Sequence, residues 1–157
     1  MSRGFTIVEL LIVVAIVGML AAVAAPGMND LVASTSVRTA ASDFYAALAA
    51  ARSEAIKRRA DTTVAAVEGD WKNGWTVKVG ADTYQQADPL PRHVAVYVAA
   101  VTPIVYGMNG RIKSGQQTMV FYSASSPAVA ARCVGVDPNG MPRVRMDTNH
   151  VATDGCN

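Results

Sequence analysis

Apolar residues crowd the amino end of the chain and then resolve into two different periodicities. Leu10 to Ala25 form a run of sixteen residues without charge, and with Phe5 to Val8 the stretch reaches about twenty-one residues. As a helix rising about 1.5 Å per residue it spans roughly 31 Å, enough to cross a bilayer core. Glu9 interrupts the run. A carboxylate at that depth costs on the order of 3 kcal/mol on insertion scales, so it needs a partner, a proton or the interface. Pro26-Gly27 predicts a kink, because proline removes a backbone donor and crowds the preceding turn. Beyond it Leu31, Val37, Ala41, Phe44, Leu48, Ala51 and Ala55 recur at mostly three- and four-residue steps, with Arg38, Asp43, Arg52 and Lys57 largely off that stripe. Such spacing predicts one long kinked helix from about Phe5 to Arg59, its second half amphipathic and packed on a domain through residues such as Phe44 and Leu48. Lys57-Arg58-Arg59 reads as a solvated helix end favoured by the helix dipole.

After Asp61 the period shortens. Thr62–Val67, Gly74–Val79, His93–Val98, Thr118–Tyr122, Arg132–Val136 and Arg143–Met146 are short segments rich in β-branched or aromatic residues, which predicts strands. Gly69-Asp70, Asn73-Gly74, Pro89-Leu90-Pro91, Asn109-Gly110 and Pro138-Asn139-Gly140 carry turn chemistry between them. A helix followed by consecutive strands predicts an α+β fold with an antiparallel sheet, not a doubly wound parallel one.

The 157 residues, 51% hydrophobic and 17% charged, suit one folded domain and exclude disorder or low complexity. Lysine plus arginine exceeds aspartate plus glutamate by 14 to 12, too little to imply a polyanionic partner from net charge. The charges are unevenly placed. Residues 61–91 hold five acids against Lys72 and Lys78; residues 92–157 hold Arg92, Arg111, Lys113, Arg132, Arg143 and Arg145 against Asp137, Asp147 and Asp154. Arg143 and Arg145 alternate on a predicted strand and so share a face, from which they can meet adjacent phosphates; a solvated face is the competing reading. There is no Gly-x-Ser-x-Gly elbow, phosphate-binding glycine loop or His-Glu-x-x-His pair, so no catalytic site is expected. His93 reads as a strand-end residue and His150 as part of a polar tail. Two cysteines and two distant histidines do not make a four-ligand zinc site; neither metal nor cofactor is expected.

Three readings compete for the amino end. Arg3 with Ala22-Val23-Ala24 suits a secretory signal cleaved near Ala24, leaving a soluble periplasmic binding protein or enzyme. A plain membrane anchor explains the length but leaves Glu9 without a partner. The third rests on resemblance: Met1-Ser-Arg-Gly4, then Phe5-Thr-Ile-Val-Glu9-Leu-Leu, with Pro26 downstream, resembles the leader and amino-terminal helix of type IV pilins and pseudopilins. That resemblance implies a leader at residues 1–4, cleavage by prepilin peptidase between Gly4 and Phe5, and methylation of Phe5. It implies a transmembrane and assembly helix at 5–30 and a periplasmic head at 31–157, with the amphipathic helix to about 59 and the sheet over 62–157. Glu9 then acts as a docking key that pairs with the amino terminus of a neighbouring subunit.

Ala51-Arg52-Ser53-Glu54-Ala55-Ile56-Lys57-Arg58 and Trp71-Lys72-Asn73-Gly74-Trp75 resemble a helix segment and a tryptophan hairpin of FimT/FimU-type minor pilins and H-type (GspH) pseudopilins. The fold this implies is the type IV pilin fold, a long helix packed on an antiparallel sheet. The implied partners are other pilin and minor pilin subunits, prepilin peptidase, the inner-membrane assembly platform and inner-membrane lipid. The implied location is the inner membrane, single-pass, and then the pilus. Cys133 and Cys156 admit a free-thiol and a disulfide reading, and export to the oxidising periplasm favours the bridge. Gly140-Met141-Pro142-Arg143-Val144-Arg145 resembles the Gly-Arg-x-Arg motif of FimT-type minor pilins, with Met141 and Pro142 inserted. It implies double-stranded DNA as a candidate ligand in natural transformation, with Arg143 and Arg145 as candidate contacts, and the local excess of positive charge adds Arg111 and Lys113. An H-type pseudopilin of type II secretion uses the same anchor chemistry and is the alternative.

Overall fold

In a computed structural model of the chain, residues 6–149, 151–154 and 156 are described, with 22–27 described by backbone alone. Gly4, Phe5 and His150 lie outside the described residues, and so do the expected leader boundary and methylation site.

Helix α1 (Ile7–Arg58) takes in Pro26 without a break in its assignment. It belongs to two units, residues 1–32 and 33–157. In the first unit the described side chains from Ile7 to Ala21 are exposed on every side of the helix. Among the described residues no helix is long and apolar enough to cross a membrane.

In the second unit α1 is amphipathic, burying Ala33, Val37, Ala40, Ala41, Phe44, Ala47, Leu48, Ala51 and Ala55. Leu31, placed on this stripe by its spacing, is instead exposed; it precedes the first residue of the packed unit. Small alanines let the sheets approach the helix, and one large residue fills the space between. Phe44 meets Trp71 and Trp75 edge-on, with ring centroids 5.6 and 5.1 Å away, and meets Phe121 at 5.7 Å. Such aromatic pairs contribute about 0.5–1.5 kcal/mol each beyond the area they bury.

The strands are β1 (Thr62–Val67), β2 (Asp70–Val79), β3 (Asp82–Gln86), β4 (Val94–Tyr97), β5 (Ile104–Tyr106), β6 (Ile112–Ser114), β7 (Thr118–Ser123), β8 (Arg132–Val136) and β9 (Pro142–Met146). They form a five-stranded sheet, β3-β2-β1-β5-β6, and a four-stranded one, β4-β7-β8-β9, with every pairing antiparallel. This is the predicted α+β architecture. Phe44 joins helix to both sheets, since Trp71 and Trp75 lie on β2 and Phe121 on β7.

Several local expectations are corrected. Asn73-Gly74 is not a turn but lies inside β2, where the register jumps from Ala66↔Trp75 to Val67↔Asp70. The hairpin turn is Glu68-Gly69, both with positive φ (52° and 76°), as a two-residue primed turn requires. Gly74 at φ 92° has no room for a Cβ against the Ala87 and Asp88 carbonyls, so the extra residues bulge and both tryptophans reach the core. β3, β5 and β6 were not expected: β3 is exposed throughout, and β5 and β6 have three residues each, so none carries a readable alternation.

The helix end is not simply solvated. Arg59 takes a left-handed φ of 49° and the Ala60 amide donates to the Ala55 carbonyl at 3.2 Å, a Schellman closure with arginine where glycine is usual. Glu54, 5% exposed, accepts from Arg58 Nε at 2.7 Å and Lys57 Nζ at 3.4 Å. The Arg58 hydrogen bond holds its carboxyl below the usual range, with burial opposing and Lys57 assisting.

Two outcomes follow from this packing. Phe44→Ala should lower the unfolding free energy of the detergent-solubilised chain by about 3–5 kcal/mol in urea titrations; a loss below about 1 kcal/mol would contradict its role as the link between helix and sheets. A carboxylate depressed in the folded state stabilises above its unfolded pKa of about 4.3 and loses that contribution as pH falls through the folded value. The stability gap between parent and Glu54→Gln should therefore be constant above about pH 5 and shrink below about pH 4, which melting curves across pH can read.

Candidate functional site

The amino end carries a device beyond the lone carboxylate expected there. Thr6 Oγ1 accepts from the Glu9 amide at 3.2 Å, while Glu9 Oε2 accepts from the Thr6 amide and the Thr6 hydroxyl, both at 3.0 Å. This is a reciprocal capping box, which satisfies otherwise orphaned donors in the first turn. A plain anchor therefore does not leave Glu9 without a partner. What Glu9 lacks is a counter-ion: among the described residues its carboxylate makes no salt bridge. The Thr-x-x-Glu spacing was legible in the sequence.

The arginine pair sits on the β8–β9 hairpin. Pro138-Asn139-Gly140 turns the chain, Gly140 at φ 80° donates to the Asp137 carbonyl at 2.7 Å, and Asp137 N–H meets the Met141 carbonyl at 3.0 Å. Pro142 then pairs with Val136, Arg143 with Gly135 and Arg145 with Cys133. The inserted Met141 and Pro142 are absorbed by the turn and the first rung, and the arginines keep their common face. Opposed residues share a face, so two rows cross the sheet: Thr118–Gly135–Arg143 and Val120–Cys133–Arg145. Gly135 contributes no side chain, and a groove of about 260 Å³ opens there, bordered by Gln116, Thr118, Arg143 and Arg145. Arg143 is already engaged, donating from Nε to Asp137 Oδ2 at 2.6 Å. Arg145 is exposed and makes no salt bridge among the described residues.

The other two candidate contacts do not join this row as equals. Lys113 on β6 donates to Asp61 Oδ2 at 2.6 Å, which turns its charge to a structural partner. Arg111 approaches through its backbone: Gly140 lies so close to Gly110 and the Arg111 Cα that a Cβ there would clash. The two loops are also pinned from the helix by Arg52, which donates to the Gly110 carbonyl at 3.1 Å and to Met141 Sδ. Spacing alone puts Arg52 off the packed stripe, yet it is half-buried because it reaches over the stripe to both loops.

Cys133 and Cys156 form a disulfide, Cα atoms 6.0 Å apart. It fastens the tail to the outer face of β8, where Val120, Ala131 and Cys133 make a second small cluster with Tyr97, Tyr122 and Ala152. The arginine hairpin itself is held by β8–β9 pairing, so the bridge secures the segment after it, not the arginines. His93 sits one residue before β4 with Nε2 buried and unbonded, its carbonyl accepting from Ala124. Among the described residues no three His, Cys, Asp or Glu side chains gather as metal ligands.

Comparison with known proteins gives these features a setting. Residues 1–25 match the prokaryotic N-terminal methylation motif, and residues 40–140 match the family described as type II transport protein GspH. A fimbrial protein of Pseudomonas aeruginosa is 47% identical over 56 residues, 36% of each chain. The type IV major fimbrial protein FimA of Dichelobacter nodosus is 57% identical over 37 residues, 24% of this chain and 23% of its own. The match thus spans about a third or less of these curated relatives. In fold the chain is similar to the type IV minor pilin FimU of Pseudomonas aeruginosa, with a TM-score of 0.61 at 19% identity, covering 77% of this chain and 95% of that one. It is also similar to the minor pseudopilin EpsH of Vibrio cholerae, with a TM-score of 0.55 at 15% identity, covering 70% and 96%. The family match takes in most of the head and the methylation motif takes in the capped helix: the chain belongs to the GspH family of pilins and pseudopilins, structural subunits and not enzymes.

Proposed function

We propose that the chain is a FimT/FimU-type minor pilin, inserted in the inner membrane as a precursor, cut between Gly4 and Phe5, methylated on Phe5 and assembled near the tip of a type IV pilus. The observation that carries this reading is the apolar helix from Ile7 to Ala21, exposed on all sides yet bearing a capped carboxylate that makes no salt bridge among the described residues. Such a helix is stable only in lipid or against other apolar helices. In either setting a charge is tolerated when a cation meets it, and a freshly exposed α-amino group on a neighbouring subunit supplies one. Prepilin peptidase, the assembly platform, other pilin subunits and inner-membrane lipid are the partners this entails; residues 31–157 form the periplasmic head.

The finer reading adds duplex DNA. Arg143 and Arg145 lie two residues apart on one face, roughly 6.8 Å along the strand, beside a polar groove, and Arg143 must exchange Asp137 for a phosphate. A second reading, a pseudopilin of type II secretion, draws on the description of the matching family and uses the same anchor and docking chemistry.

Mass spectrometry of the mature protein should find an amino-terminal N-methylphenylalanine derived from Phe5; a terminus near Ala25 would contradict the proposal. In salt titrations with unrelated duplexes, replacing Arg143 and Arg145 by glutamine should weaken binding alike for every sequence and reduce the log–log salt slope by about 2, near 0.9 for each phosphate no longer neutralised. Binding unchanged by the double substitution would remove DNA from the reading.

A further inference from the structure

β9 is the outer strand of its sheet, and its register says which of its backbone groups are free. Asp137 N–H bonds to the Met141 carbonyl and Asp147 N–H to the Ala131 carbonyl. In an antiparallel ladder hydrogen-bonded and non-bonded pairs alternate. In this register Gly135/Arg143 and Cys133/Arg145 fall in the bonded class. The backbone groups of Arg143 and Arg145 therefore turn toward β8, while those of Val144 and Met146 turn outward along the open edge.

The side chains alternate across the same strand. Arg143 and Arg145 stand on the outer face. Val144 stands on the inner face beside buried Val134, yet is 45% exposed, and Met146 is 49% exposed. The apolar layer under the sheet thus runs out uncovered at Val144, and Met146 beyond it lies opposite half-buried Arg132 on the same face. At the start of the strand Pro142 borders a groove of about 290 Å³ with Tyr45, Ile56 and Met141. Edge strands are usually blunted by proline or by charges pointing inward. Here proline removes a donor only at the first position, and both charges point outward.

We propose that the β9 edge accepts, by strand addition, an extended segment of a different protein subunit in which acidic and apolar residues alternate. Residues opposite Val144 and Met146 would share their inner face and cover them; the residues between would share the outer face and carry carboxylates, one meeting Arg145, which makes no salt bridge among the described residues, and one joining or displacing Asp137 at Arg143. Main-chain bonds to Val144 and Met146 supply affinity, and the alternation supplies specificity. A second copy of this chain is a poor match: of its edge strands, β3 (Asp82-Thr83-Tyr84-Gln85-Gln86) offers a single carboxylate, β4 and β6 offer none, and β9 would set arginine against arginine. Duplex DNA could engage the arginines but leaves Val144, Met146 and their amides uncovered. The inference does not depend on the DNA reading.

The test is fluorescence anisotropy of the full chain in non-ionic detergent with a labelled, end-capped peptide Glu-Val-Glu-Val-Glu-Val-Glu and its lysine-for-glutamate counterpart. Saturable binding of the acidic peptide is expected, at least about tenfold tighter than of the basic one. Val144→Pro deletes an outward N–H that β8 does not use, so it should fold with an unchanged melting curve and bind at least about tenfold more weakly; Val144→Ala keeps the N–H and should stay within about threefold. Should proline disturb the strand, Arg145→Glu decides instead, by reversing the preference toward the basic peptide. Absence of saturable binding, equal binding of both peptides, or a folded Val144→Pro that binds like the parent would overturn the proposal. So would self-association of the parent that Val144→Pro abolishes, which would assign the edge to a second copy.

Discussion

A helix that is apolar on every side cannot be satisfied by a single partner surface, and this constraint governs the amino end of the chain. From Ile7 to Ala21 the described side chains are exposed in their own unit, and burying each large one is worth about 1.5–3 kcal/mol. Water is therefore the one environment the helix cannot keep. The single carboxylate in this stretch is half-provided for. Its hydrogen-bonding needs are met by Thr6, but among the described residues no cation meets its charge, and the helix dipole contributes about 0.3–1 kcal/mol in exposed settings. A group hydrogen-bonded by its own helix, with no cation beside it among the described residues, is suited to recognise one on another chain.

The head answers a different requirement: it holds a stable surface with little chain. Phe44 touches both sheets through Trp71, Trp75 and Phe121, while alanines elsewhere on the helix keep the layers close. Arg52 extends the same helix to the Gly110 carbonyl and Met141, so the two loops flanking the arginine hairpin are fixed relative to the core. The disulfide adds a separate restraint on the tail. The β8–β9 hairpin is thus held to the core, and it displays Arg143 and Arg145 on β9.

Much of this was legible from the residues. The uncharged run and then the three- and four-residue spacing of Phe44, Leu48, Ala51 and Ala55 place a helix at about Phe5 to Arg59; among the described residues it runs from Ile7 to Arg58. Thr62–Val67 and Arg132–Val136 matched their strands to the residue, since each combines β-branched residues with clear turn signals outside. Asn73-Gly74 misled because the dipeptide that makes a tight turn also makes a bulge, and only the packing of two tryptophans against Phe44 decides between them. The short edge strands were silent because exposed residues such as Thr83, Gln85 and Gln86 carry no burial pattern. At the candidate site, alternation alone put Arg143 and Arg145 on one face. The engagement of Arg143 by Asp137 and of Lys113 by Asp61 arises from tertiary contacts that no spacing encodes.

Glutamine serves a capping box as glutamate does, so Glu9→Gln removes the charge while leaving the local hydrogen bonds of the helix start in place. Quantifying this variant and the parent in sheared filaments, with leader removal normal in both, addresses the central claim directly. The account predicts that Glu9→Gln remains in the membrane fraction and is nearly lost from filaments. Incorporation equal to that of the parent would contradict it.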